Sequence, residues 1–269
     1  MSGEPRIVVV PDPDAASAAG ARHIAESLAA AVSARGRAHW ATTGGSTSIG
    51  VFRELVTEPL RDSVPWSQVQ VWWGDDRFVP RDHPLSNVGA FDDILVDIAD
   101  REEGVGGPHG PWVPIQVDNI HPFRCGEAIA AGRPASWVAQ ELVTELRASG
   151  IEVLDGWPVF DLIQVGIGPD GHVLSVFADS PSFDSSEWAM DIPAPTHVEP
   201  HVARVTMNPA VLGIARDVLA VATGAAKATI LRDVLGPERN VRRWPGQAAR
   251  RAGATWILDE AAAAQLPGG

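Results

Sequence analysis

The chain lacks the residues that build disulfides, zinc clusters and membrane spans. Its 269 residues include one cysteine, Cys125, which excludes an internal disulfide and a four-cysteine zinc site. Such low cysteine usage is typical of a reducing cytosol. Residues 1–10 carry Glu4 and too short an apolar run for a signal peptide, and no stretch reaches the roughly 20 apolar residues that cross a bilayer. We therefore expect a cytoplasmic protein with no membrane partner.

Positive charge is also scarce. The formal net charge is −13, which argues against non-specific binding to nucleic acid or to acidic membranes. The hydrophobic fraction of 45% is ordinary for a globular protein, and no repeat or long linker divides the chain. We predict one domain over residues 1–269, a monomer or weak homodimer that acts on a small molecule.

Lysine is almost absent, and tyrosine is absent. Of 21 cationic residues one is a lysine, Lys227, as expected when a coding bias replaces lysine by arginine wherever arginine is tolerated. A lysine that persists against this bias marks a position that needs a compact ammonium group, unless it survives by chance.

Strands and helices alternate along the chain. Apolar runs predict strands at 6–10, 38–43, 69–73, 160–167, 203–207, 218–223 and 255–258. Helical spacing predicts helices at 14–35, 46–57, 87–98, 134–149, 208–212 and 225–235, with a short one after 258. Residues 101–134 and 180–201 are rich in Gly, Pro and polar residues and read as irregular. This order predicts an α/β domain with a mostly parallel sheet flanked by helices, whose ligands bind at the carboxyl ends of the strands.

The first motif after a strand is Thr42–Thr47, Thr-Thr-Gly-Gly-Ser-Thr. Backbone amides of Gly44 and Gly45, the hydroxyls of Ser46 and Thr47, and the start of a helix form a suitable anion site. It is not a P-loop, because the Gly-Lys-Ser/Thr ending is missing. The alternative is a tight turn in which Ser46 or Thr47 caps the helix.

A charged cluster follows the third strand, in Trp73–Pro80 (Trp-Gly-Asp-Asp-Arg-Phe-Val-Pro). Arg77 suits bidentate binding of a phosphate or carboxylate. The alternative is a structural pair between Arg77 and an aspartate at the strand end.

An acid and a base lie two residues apart in the glycine-rich turn Gly168–His172 (Gly-Pro-Asp-Gly-His). The pair Asp170 and His172 suits proton transfer at a ligand, with the carboxylate fixing the tautomer of the ring. The other seven histidines are expected to be structural or merely exposed.

Two cations complete the set of candidate site residues. Lys227 falls in the first turn of a helix after Gly224, where a cation is easier to explain if it faces an anion. Arg204 lies on the strand predicted at 203–207.

These blocks, in the same order, resemble the family of 6-phosphogluconolactonases and glucosamine-6-phosphate deaminases. The resemblance runs from Thr42 to Trp256 and implies a modified Rossmann-like fold related to sugar-phosphate isomerases. It implies hydrolysis of 6-phospho-D-glucono-1,5-lactone to 6-phospho-D-gluconate in the oxidative pentose phosphate pathway, without metal or cofactor. His172 would be the general base, and Asp75 matches a proton-transfer aspartate of the deaminases. The expected phosphate-binding residues are Gly44, Gly45, Ser46, Thr47, Arg77, Arg204 and Lys227.

Two alternative functions stay open. The deaminases carry a glutamate five residues after the histidine, where this chain has Phe177, and this difference favours the lactonase branch. A non-catalytic sugar-phosphate sensor would keep the phosphate loop and lose the base, whereas Asp170 and His172 are retained. The spacing of the remaining histidines does not suit a metal site. The absence of a Gly-x-Ser-x-Gly motif argues against a serine hydrolase.

Overall fold

The computed structural model describes residues 3–96 and 112–266. The strands, in chain order, are β1 (Arg6–Val10), β2 (Ala38–Thr42), β3 (Val69–Trp73), β4 (Asp75–Arg77), β5 (Ile120–His121), β6 (Val153–Leu154), β7 (Trp157–Pro158), β8 (Leu162–Val165), β9 (Ala189–Ile192), β10 (Arg204–Met207), β11 (Asp217–Ala222) and β12 (Ala254–Asp259). The helices are α1 (Pro13–Arg35), α2 (Ser46–Leu55), α3 (Leu60–Ser63), α4 (Gly89–Leu95), α5 (Cys125–Ala130), α6 (Ala135–Ala148), α7 (Ala210–Ile214), α8 (Ala228–Leu235) and α9 (Glu260–Ala263).

A seven-stranded sheet forms the centre of the molecule. Its strand order is β1-β12-β11-β8-β2-β3-β5, and every neighbouring pair is parallel. Strands β2, β8 and β12 are buried at every position, as expected for a parallel sheet covered on both faces. The predicted parallel sheet with flanking helices is therefore present, and most of its predicted strands differ from the observed ones by only one or two residues.

A second, antiparallel sheet was not predicted. It has the order β4-β10-β9, with Val205 of β10 opposite Asp76 on one side and Asp191 on the other. The sequence placed β4 in a charged cluster and β9 in an irregular stretch at 180–201. The irregular assignment was wrong at β9, and β4 was not predicted, because strands of three and four residues show too little alternation to be recognised.

Several other boundaries differ from expectation. Residues 101–134 were predicted to be irregular; 101–111 lie outside the described residues, but 120–130 contain β5 and α5. The helix predicted at 87–98 is α4, which ends at Leu95. Neither Ser46 nor Thr47 caps α2, because the helix begins at Ser46 and Gly45, with φ +94°, stands at the cap without a side-chain hydrogen bond. Within the described ranges, no helix is long and apolar enough to cross a membrane.

A cluster of aromatic side chains packs α4 against the central sheet. Phe91 lies fully buried against Trp40, Phe52 and Trp73, with ring centroids 6.0, 5.5 and 5.0 Å away. The cluster joins β2, β3, α2 and α4. It therefore holds together two of the chain segments that lead into the cavity described below.

Replacing Phe91 by alanine should destabilise the protein strongly. Phe91 is 0% exposed, so loss of its ring leaves a buried cavity. We therefore expect the free energy of unfolding to fall by about 3–5 kcal/mol. Urea denaturation of Phe91→Ala measures this loss. Phe183→Ala is the matched control, because Phe183 is only partly buried; an equal loss in both variants would contradict the assignment of Phe91 to the core.

Candidate active site

A cavity of about 450 Å³ opens at the carboxyl ends of β2, β8 and β11. It brings together all but one of the residues that the sequence singled out. The predicted residues that line it are Gly44, Gly45, Ser46, Thr47, Asp75, Arg77, His172, Arg204 and Lys227. Asp170 is outside this lining and lies against His172.

His172 and Asp170 form a hydrogen-bonded pair. Nδ1 of His172 lies 2.5 Å from Oδ1 of Asp170, so the carboxylate holds the proton on Nδ1. This leaves Nε2 without a hydrogen-bond partner among the described residues. Burial raises the pKa of Asp170, but hydrogen bonds and charge from His172 outweigh it and hold that pKa well below its usual range. Asp170 is therefore an anion that orients the imidazole ring of His172.

The turn that carries this pair requires glycine. A Cβ on Gly168 would lie 2.0 Å from Nδ1 of His172, inside the space that the ring occupies. The turn is closed by a hydrogen bond from the Gly168 amide to the His172 carbonyl, 2.8 Å long. Behind it, the amide of Gly246 donates to the carbonyl of Gly171 at 2.7 Å. The backbone therefore fixes the position of His172 before any ligand binds.

Arg77 and Arg204 present unused donors. The guanidinium of Arg77 donates from one NH group to the Leu85 carbonyl and the Asn87 side chain, and that of Arg204 donates to the Pro200 carbonyl. The Nε of each is buried and has no partner in the described part of the chain. Arg77 also pairs with none of the described carboxylates, so the alternative of a structural Arg–Asp pair does not hold. Neither guanidinium forms a salt bridge within the described part of the chain, so the cavity lining carries two cations whose charge favours an anion.

Lys227 supplies a third cation to the cavity lining. Its Nζ donates to the carbonyl of Ile167 at 2.6 Å, and burial lowers its pKa while the charge of Asp170 raises it. The loop before it is held by Asp259, whose two carboxylate oxygens each accept from the Gly224 amide at 3.0 Å. The Lys227 ammonium therefore lies on a fixed loop.

The loop after β2 provides backbone donors. The ten-residue helix α2 begins at Ser46, so its free amides and its dipole favour an anion there. The Ser48 hydroxyl donates to the Gly44 carbonyl at 3.1 Å, and the hydroxyl oxygens of Thr47 and Thr223 are 3.4 Å apart.

Asp75 lies in the cavity wall and is already engaged. It is 5% exposed, and its Oδ2 accepts from the Ser175 hydroxyl at 2.5 Å. Asn87 donates to its backbone carbonyl at 2.9 Å and approaches Oδ1 at 3.4 Å. Asp75 therefore lines the cavity, with one carboxylate oxygen hydrogen-bonded to the Ser175 hydroxyl.

Sequence reasoning missed three side chains of the site. Asn87 organises the wall, because a Cβ on Gly44 would fall 2.2 Å from its Oδ1. Gln164 accepts from Thr42 at 3.0 Å and lines the cavity. His197 also lines it, with Nε2 3.1 Å from Oδ2 of Asp170, so grouping it with the structural or exposed histidines was wrong. Of the three, only Asn87 gave a signal in the sequence, because Ser86-Asn87, shortly after the charged cluster, resembles a Ser-Asn pattern of the same family.

Phe177 occupies the position of the deaminase glutamate. Its ring centroid is 4.8 Å from that of His172 and 5.5 Å from the Arg204 guanidinium carbon. Phe177 is buried and packs beside His172, outside the lining of the cavity.

A family model described as glucosamine-6-phosphate isomerases/6-phosphogluconolactonase matches residues 11–257. The chain belongs to this family. It is 31% identical over 272 residues to a 6-phosphogluconolactonase of Streptomyces coelicolor, covering 99% of this chain and 97% of the relative. It is 28% identical over 263 residues to the 6-phosphogluconolactonase of Mycobacterium tuberculosis, with 97% and 98% covered. The expected family is therefore confirmed.

Solved structures confirm the expected fold. The 6-phosphogluconolactonase of Trypanosoma brucei matches with a TM-score of 0.79 and 25% identity, covering 99% of this chain and 100% of that one. A monomeric glucosamine-6-phosphate deaminase matches with a TM-score of 0.74 and 16% identity, over 97% and 99% of the two chains. The fold is thus common to lactonases and deaminases, and only the residues of the site can distinguish the two branches.

Beside the site, Asp76 should make stability depend on pH. Burial raises its pKa from 3.8 to about 7, although amides of Asn87 and Arg77 lower it. Between about pH 4 and 7 the unfolded chain releases this proton while the folded chain keeps it, so stability falls as the pH rises. Asp76→Asn has no such proton to lose. The free energy of unfolding of the variant minus that of wild type should therefore increase from about pH 4 to pH 7, by on the order of a few kcal/mol.

Urea denaturation at a series of pH values measures the difference. Asp217→Asn is a control of opposite sign: burial raises the Asp217 pKa, but hydrogen bonds from His23 and Ser27 outweigh it and lower that pKa. The stability that the wild-type Asp217 carboxylate contributes is lost as the pH falls. A difference between Asp76→Asn and wild type that does not vary with pH would contradict the assignment.

Proposed function

We propose that the chain hydrolyses 6-phospho-D-glucono-1,5-lactone to 6-phospho-D-gluconate, the lactone-opening step of the oxidative pentose phosphate pathway. The observation that carries the proposal is the His172–Asp170 pair at the edge of a cavity that also holds Arg77, Arg204 and Lys227. An imidazole oriented by a carboxylate and three cationic side chains in one cavity suit a phosphorylated substrate that is attacked by water. The family and its 6-phosphogluconolactonase relatives support the same reaction.

The phosphate would be bound by the loop after β2 together with Arg77 and Lys227. The amides at the start of α2 act as donors, and the cations balance the charge. Arg204 lines the same cavity beside Phe177 and Asp75. The net charge of −13 makes this local concentration of cations necessary, because the protein as a whole repels an anionic substrate.

His172 would activate the attacking water. Its Nε2 takes a proton as the water oxygen bonds to the lactone carbonyl carbon, and Asp170 stabilises the resulting imidazolium. The tetrahedral oxyanion that forms needs hydrogen-bond donors close to the carbonyl oxygen. As the bond to the ring oxygen breaks, His172 returns the proton to that oxygen, which becomes the free hydroxyl of the acid. The sequence of steps needs no metal or organic cofactor.

The deaminase alternative is less favoured by the site. Its proton transfers use a carboxylate where this chain places Phe177, an apolar ring packed against His172 and Arg204. A sugar-phosphate sensor would not need an oriented base. We further propose a cytoplasmic location, a monomer or weak homodimer and no nucleic-acid partner, in keeping with the composition of the chain.

The first test is the hydrolysis of freshly generated lactone by wild type and His172→Ala. We expect clear acceleration by wild type and a fall in kcat of about 10²–10⁴-fold in the variant, which is the usual contribution of a general base. The released acid is followed with a coupled dehydrogenase at mildly acidic pH, where spontaneous opening is slow.

The matched control is His23→Ala. His23 also bonds a carboxylate, Asp217, at 2.7 Å, but Asp217 begins β11 at the end of the strand away from the cavity. This variant should keep the wild-type kcat. Wild-type hydrolysis no faster than the spontaneous rate would exclude the lactonase; an unchanged kcat in His172→Ala would exclude the base.

Lys227→Met tests the phosphate site. Loss of a buried ammonium that faces the phosphate should raise KM by at least about tenfold, the scale of one charge-assisted hydrogen bond. Lys227→Arg keeps the charge but not the compact shape, so it should recover only part of the affinity. KM values for the lactone, with inorganic phosphate as competitor, measure both effects. Unchanged KM and phosphate inhibition in Lys227→Met would remove Lys227 from the phosphate site.

A further inference from the structure

Two histidines share the carboxylate of Asp170. Oδ1 lies 2.5 Å from Nδ1 of His172, and Oδ2 lies 3.1 Å from Nε2 of His197. The ring of Phe177 lies between the two imidazoles, with centroid distances of 4.8 Å to His172 and 5.4 Å to His197. Asp170 is therefore held from both sides, and its second oxygen is bound by a residue that the mechanism above does not use.

The side chain of His197 is not part of the hydrophobic core. Its side chain is 53% exposed, against 15% for His172, and it lines the cavity together with Val198 and Glu199. Its contacts are the carboxylate of Asp170 and the edge-to-face packing on Phe177. A residue with this exposure contributes little by burial, so its bond to Asp170 is its main interaction.

The loop that carries His197 is anchored on both sides of it. The loop joins β9 to β10, and His201 closes it by a contact between its Nδ1 and the Pro195 carbonyl at 2.6 Å. His201 also pairs with Glu199 at 3.0 Å, and Arg204 donates to the Pro200 carbonyl at 3.1 Å. Because these contacts hold the loop without Asp170, His197 has a fixed place from which to orient the carboxylate.

We propose that His197 is a positioning residue for the general base. By donating from Nε2 to Oδ2, it fixes the rotation of the Asp170 carboxylate, so that Oδ1 stays directed at Nδ1 of His172. The terminal torsion of an aspartate is otherwise broad, and a carboxylate held at one oxygen samples orientations that weaken its bond to the ring. The proposal rests on the lactonase reaction proposed above, because it acts through His172.

Two substitutions separate the hydrogen bond from the ring. His197→Phe keeps an aromatic ring against Phe177 and loses the donor, whereas His197→Gln keeps an N–H donor in place of Nε2 and loses the ring. We expect kcat to fall about tenfold in His197→Phe, with KM changed less than about twofold, and to return near wild type in His197→Gln. His23→Phe is the control, because it removes the same kind of bond, to Asp217, away from the cavity.

A second readout does not depend on turnover. In protein labelled with ¹⁵N-histidine, the proton on Nδ1 of His172 should give a resolved signal in wild type and His197→Gln. The signal should broaden or be lost in His197→Phe, although the thermal midpoint of unfolding stays within a few degrees. The comparison reports the His172–Asp170 bond directly.

The outcomes distinguish the two proposals. If wild type does not accelerate lactone hydrolysis, the proposed function fails, while the His172 signal still decides whether His197 orients Asp170. A wild-type kcat and an unchanged His172 signal in His197→Phe would overturn the positioning role. So would a kcat in His197→Gln as low as in His197→Phe, because the ring and not the donor would then be required.

Discussion

The site depends on one constraint, the adjacency of β11, β8 and β2 in a parallel sheet. Parallel strands end at the same edge, and neighbouring strands are about 4.8 Å apart, so three adjacent strands direct their loops into a space roughly 10 Å wide. The loop after β2 brings amide donors, the loop after β8 brings His172, and the loop after β11 brings Lys227. A small ligand in this space therefore contacts more than one of these loops.

The electrostatics of the cavity oppose those of the whole molecule. The net charge is −13, yet Arg77, Arg204 and Lys227 share one cavity with unpaired guanidinium Nε atoms. Burial lowers the pKa of both Arg204 and Lys227, because desolvation penalises their charged forms. An anion that entered the cavity would offset part of that penalty through its charge.

Much of this arrangement could be predicted from the sequence. Buried strands and glycine-rich loops leave strong local signals, which is why β1 and β3 were placed to the residue and why nine predicted residues line the cavity. The short strands β4 and β9 leave no period to detect. His197 is different, because its bond to Asp170 spans 27 residues and depends on how a Pro-rich loop folds back over the site. Such a contact is a property of the tertiary structure and has no local signature.

The side chain at position 177 distinguishes the two branches of the family, which share one fold. Both branches of the family share the fold, so the sheet and the glycine turns do not distinguish them. Deamination moves protons between carbons and needs an additional acid or base, whereas opening a lactone needs one base that takes a proton and returns it. Phe177 supplies no proton; it packs on His172, on His197 and under Arg204. An apolar ring here gives His172 a neighbour that can neither take nor give a proton, so the side chain at position 177 limits which proton transfers the site can perform.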